Sequence, residues 1–71
     1  MTRDEHLEWC KERARKYLAR QEVANAIASM CMDLRRHPEF EGVLRAMEPL
    51  GLFYAMQNDL DGAKRFVEGF R

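Results

Sequence analysis

The chain has 71 residues, enough for one small domain, and its 12 Lys and Arg balance 12 Asp and Glu. With 46% hydrophobic and 34% charged residues, it is too apolar for disorder and too evenly charged to capture nucleic acid by bulk electrostatics. It holds no apolar run of membrane-spanning length and no signal-peptide core, so we expect a soluble, unexported protein with Cys10 and Cys31 reduced and buried.

Helix signals dominate, and no segment alternates with period two for long enough to make a strand. Thr2 and Glu5 have the spacing of a capping box. Leu7, Cys10, Ala14, Tyr17 and Leu18 then repeat at helical spacing as the buried stripe of a first helix. A short turn at Arg20-Gln21-Glu22 leads into a second helix, from about residue 22 to 36, which returns antiparallel to the first. Val23, Ala24, Ile27, Met30, Cys31 and Leu34 form its apolar face, and Asn25, Ser29, Asp33 and Arg36 the opposite one.

His37-Pro38 ends that helix, because the residue before proline avoids the α region. Pro38 suits the first turn of a third helix carrying Phe40, Val43, Leu44 and Met47. Pro49 and Gly51 interrupt the pattern, and Pro49 cannot donate to the Arg45 carbonyl, which predicts a kink or a break. Beyond it Leu50, Leu52, Phe53, Tyr54 and Met56 are apolar on nearly every side. Asn58 with Asp61 resembles another cap, opening a last helix whose Leu60, Ala63, Phe66, Val67 and Phe70 share a face and which Gly69 terminates. The expected fold is all-α: a single domain, residues 1–71, built as a compact four-helix array beginning with an antiparallel αα-hairpin, its third helix kinked or broken near Pro49.

Three short motifs punctuate the chain: H-L-E-W-C-K-E-R-A from His6, R-H-P-E from Arg36 and F-V-E-G-F from Phe66. In this order, and over nearly the whole chain, they resemble a group of short helical proteins encoded by tailed bacteriophages and prophages. The sequence departs from that group in its hairpin turn, Arg20-Gln21-Glu22 in place of an acidic Gly-Asp type. It departs again at Glu48-Pro49-Leu50-Gly51, which replaces a Met- and Gly-rich segment. The resemblance implies a phage origin and a host-cytoplasm setting. The group has no assigned activity, so no catalytic residue is carried over.

Read from the residues alone, the chemistry is sparse. His6, Cys10, Cys31 and His37 make a legitimate zinc set by type. However, six residues separate Cys31 from His37, which turns them to different sides of a helix, and no CxxC or HxxxH knuckle is present. We therefore expect no metal, no cofactor and no catalytic residues, since Cys10 lies on an apolar face where a thiol is inert. Two surfaces remain. On the first helix Trp9, Arg13, Lys16 and Arg20 fall on one line, within a stretch (residues 11 to 20) that holds five basic groups and one acid. This is an aromatic-basic stripe suited to a protein partner or, alternatively, to nucleic acid. The competing structural reading packs Trp9 under the C-terminal helix with the basic residues solvated. The second surface is Phe53, Tyr54 and Met56, either plastic core or a homodimer seam. The leading expectation is a non-enzymatic accessory protein that binds a host or phage macromolecule. A nucleic-acid-associated regulator and a minor structural or self-associating phage protein are the alternatives.

Overall fold

The structure, a computed structural model, describes residues 2–71. Four α-helices follow one another: α1 (Arg3–Ala19), α2 (Val23–Leu34), α3 (Glu41–Gln57) and α4 (Leu60–Gly69), with a 3-10 turn at Pro38–Phe40 leading into α3. No helix among the described residues is long and apolar enough to cross a membrane.

The hairpin forms as its sequence dictates. Thr2 Oγ1 accepts from the Glu5 amide at 3.1 Å while the Thr2 amide donates to Glu5 Oε1 at 2.9 Å, so two of the free amides at the α1 N-terminus are satisfied. At the other end Gln21 takes a left-handed conformation (φ 61°). The Gln21 amide donates to the Leu18 carbonyl and the Glu22 amide to that of Tyr17. That is a Schellman closure with glutamine in the place glycine usually fills. It reverses the chain within three residues and lays α2 against α1.

The cap expected at Asn58 shifts by one residue. Asn58, left-handed at φ 51°, closes α3, with the Asp59 amide donating to the Tyr54 carbonyl. Asp59 is then the N-cap of α4, its Oδ1 accepting from the Gly62 amide at 2.9 Å. One junction thus uses two adjacent residues for two jobs.

Of the kink or break expected at Pro49, the break does not occur: α3 runs from Glu41 to Gln57 with Pro49 inside it. Pro49 lies on the exposed side of α3, where water can hydrate the carbonyl that loses its partner. Gly51, which the pattern marked as an interruption, is buried and serves packing. A Cβ there would lie 2.8 Å from the Phe66 ring and 3.1 Å from Ile27, so the missing side chain is the slot that admits Phe66. Gly62 does the same for Tyr54, whose ring an added Cβ would strike. Gly42 meets nothing within 4 Å on α3. Gly42→Ala is accordingly expected to stabilise the protein by about 0.5–1 kcal/mol in urea denaturation, since only the helix-propensity gain is left.

α2 is the central element, packed against α1, α3 and α4, while α1 and α3 lie on different sides of it and scarcely touch. The core joins Leu7, Cys10, Ala14 and Leu18 of α1 to Val23, Ala26, Ile27, Met30 and Leu34 of α2. Phe40 and Leu44 cover one end, and Phe66, Val67 and Phe70 close the other side. Two residues assigned to apolar stripes face outward instead, Ala24 and Val43, because the buried arc of α2 is turned toward Ala26 and Asp33 and that of α3 is narrow.

Candidate functional site

The candidate stripe lies along one side of α1. Trp9, Arg13, Lys16 and Arg20, joined by Tyr17, line a single open groove of about 360 Å³. Helical geometry requires the alignment, since these positions recur every three or four residues. What the groove does with each side chain is set by the neighbouring helix.

Trp9 is half-buried against the core, on a different face of α1 from Lys11 and Arg15, which reach Glu68 of α4. Its ring stacks on His6 (centroids 5.7 Å apart, 29° between planes), and two guanidinium groups approach it, Arg13 at 4.8 Å and Arg36 at 5.9 Å from the centroid. Cations at these distances are held by the negative face of the indole. Trp9 is therefore a clamped side chain with one edge in the groove.

Arg13 also serves the fold. Its Nε lies 3.3 Å from Oδ2 of Asp33, a residue only 3% exposed. Asp33 was assigned to the polar face of the second helix, and it is buried because α1 covers that face. Ser29 Oγ donates to the same carboxylate at 3.4 Å, and His6 Nε2 donates to the Asp33 backbone carbonyl at 2.8 Å. Sequence reasoning missed Asp33. Its signal was the hairpin register, which sets the end of α2 beside the basic line of α1.

The remaining basic residues divide by face. Arg15 bridges Glu8 and Glu68, both at 2.8 Å, and ties α1 to α4. These bonds hold the Glu68 carboxyl below the usual carboxylate range and raise the Arg15 guanidinium further. In the groove, Arg20 has only a long contact to Glu22, at 3.8 Å. Among the described residues, neither Lys16 nor Arg36 has a carboxylate within ion-pair distance. Lys16 and Arg20 thus line the groove beyond Trp9, and Arg36 approaches its ring, with little intramolecular neutralisation.

The first and second sequence motifs meet beside this groove. His6 and His37 approach to 5.6 Å between ring centroids, both rings pack near Phe40, and Arg3 covers the Phe40 ring at 4.6 Å. His37 Nδ1 accepts from the Glu39 amide at 3.3 Å and so caps the 3-10 turn. Of the residues weighed as a zinc set, the two histidines come together, whereas Cys10 and Cys31 are both buried as free thiols. Among the described residues no group of three or more His, Cys, Asp or Glu is placed to hold a metal ion. Burial and the Asp33 charge push the Cys10 thiol up to about 11, and burial with Glu48 does the same to Cys31. Neither is a nucleophile at neutral pH.

The second predicted surface separates into unlike residues. Phe53 and Met56 are exposed, whereas Tyr54 is half-buried over Gly62. Leu50 and Leu52, which belong to the same apolar stretch of the sequence, stand exposed with them.

No protein-family model, curated protein or solved structure matches the chain.

Proposed function

We propose that the chain is a small phage-encoded accessory protein that binds an acidic surface of a host or phage macromolecule through the α1 groove and acts by occlusion. One observation carries this reading. Lys16 and Arg20 along the groove, and Arg36 at the Trp9 ring, present largely unpaired charge on the side of α1 that carries a Trp9 already oriented by His6 and Arg13. A clamped aromatic loses little rotamer freedom on binding, so more of its contact energy is kept. The sequence resemblance supports the phage setting and, with it, the host cytoplasm. Burial of both thiols favours a binder over an enzyme. Balanced charge favours a protein partner over nucleic acid.

Trp9 is the only tryptophan, so its emission reports on the groove directly. A Glu-rich peptide is expected to change that emission, and Lys16→Glu with Arg20→Glu to weaken binding roughly tenfold. An oligonucleotide that binds more tightly than the peptide, with a steep salt dependence, would give the groove to nucleic acid instead. No response to either probe would sink the groove as a binding site.

A further inference from the structure

Two stretches of this sequence, residues 23–32 and 49–58, contain no charged residue. At 34% charged overall, a ten-residue stretch averages about three charges. A helix whose outer side faces water carries polar residues there. These stretches leave Ala24, Ala28 and Met32 exposed on α2, and Leu52, Phe53 and Met56 on α3.

The fold sets the two stretches side by side. Ala24, Ile27 and Ala28 of α2 face Pro49, Leu52 and Ala55 of α3 across an open apolar groove of about 620 Å³. Next to it Leu52, Phe53 and Met56 form a ridge, 61%, 55% and 76% exposed. The exposed apolar area does not come from a loose fold. The whole surface is 4621 Å², and a compact monomer of 8.4 kDa is expected to expose about 4600 Å². Charge depletion with Met and aromatic enrichment is the composition of an interface core.

We propose that this face is the seam of a homodimer. Its two rim charges are already neutralised within the chain, Arg45 by Glu41 and Glu48 by Arg35. The face therefore attracts neither an acidic nor a basic partner and does not repel its own copy, while the chain as a whole carries no net charge. Groove and ridge share one side of the molecule, so a two-fold axis seats each ridge in the opposite groove, the self-complementary arrangement of an isologous contact. Ala24 and Ala28 let the incoming helix approach closely. An ordinary interface needs about 800 Å² per partner, roughly a sixth of this surface. A domain this small also gains stability by pairing.

Sedimentation equilibrium from micromolar to millimolar protein tests the seam. The mass is expected to rise from 8.4 kDa to twice that value. Leu52→Glu and Ala28→Arg change exposed positions, so helical circular dichroism should persist while each weakens dimerisation roughly a hundredfold. Lys16→Glu, on α1, should leave the association unchanged. A mass of 8.4 kDa throughout the range overturns the proposal, as does a dimer that survives both seam variants. A monomer that co-sediments with phosphatidylglycerol vesicles, and is released by Leu52→Glu, assigns the face to a lipid surface and overturns it equally.

Discussion

Phe66→Ala is expected to remove about 3–5 kcal/mol of folding stability, the range for emptying a buried aromatic site. Phe66 is 1% exposed and meets Phe70 edge to face, centroids 5.1 Å apart at 87°. Its ring fills the slot left by Gly51, so a single side chain joins α4 to α3 close to where Ile27 of α2 packs. No neighbour replaces it easily, because the slot is backbone on one side. At about 0.05–0.15 kcal/mol per residue, a 71-residue domain has about 4–11 kcal/mol in all. The variant should therefore be partly unfolded at room temperature in urea titrations followed by helical circular dichroism. A loss below about 1 kcal/mol would mean that α4 is held by its surface bridges.

Arg13→Ala is the second large effect, at about 1–3 kcal/mol, whereas Lys16→Ala one turn along should cost less than about 0.5 kcal/mol. Removing the guanidinium leaves the Asp33 carboxylate, 3% exposed, with only the Ser29 hydroxyl at 3.4 Å. Breaking a fully buried pair costs about 3–5 kcal/mol. Arg13 is 42% exposed, so solvent screening puts this pair below that range. Thermal melts of the two variants separate the roles. An Arg13→Ala protein as stable as its parent would return Arg13 wholly to the groove. For the same reason charge reversal at Lys16 and Arg20 probes binding more cleanly than any change at Arg13.

What the sequence made legible follows the range of the interactions. The α1 capping box, the αα-hairpin and the buried stripe, apart from Tyr17, which is half-buried at the groove, depend on neighbours within a turn or two, and they stand as expected. The left-handed closures at Gln21 and Asn58 lack the glycine that usually marks them, so the second was read one residue off. Pro49 and Gly51 looked like one interruption because each disfavours a helix locally. Tertiary packing decides otherwise: one faces water, and the other makes room for Phe66. Asp33 looked solvated because a single helical wheel shows one partner face, and α2 has three. The line of Trp9, Arg13, Lys16 and Arg20 was readable from periodicity alone. That Arg13 is committed to Asp33 while Arg36 reaches the Trp9 ring was not, since both facts depend on the far end of the hairpin's other arm.

The central position of α2 has a thermodynamic consequence. Its C-terminal end holds Asp33 behind the α1 groove, and its outer side supplies Ala24 and Ala28 to the apolar face. The same twelve residues therefore border both surfaces. If the groove takes a ligand and the apolar face is the proposed dimer seam, a ligand that shifts α2 would change the dimerisation constant by some factor, and dimerisation would change the affinity for that ligand by the identical factor. Should α2 stay rigid, the factor would be one, and the proposed dimer would offer two independent grooves. A partner carrying two acidic segments would then find the second groove at an effective concentration set by how well its linker matches the span between the grooves.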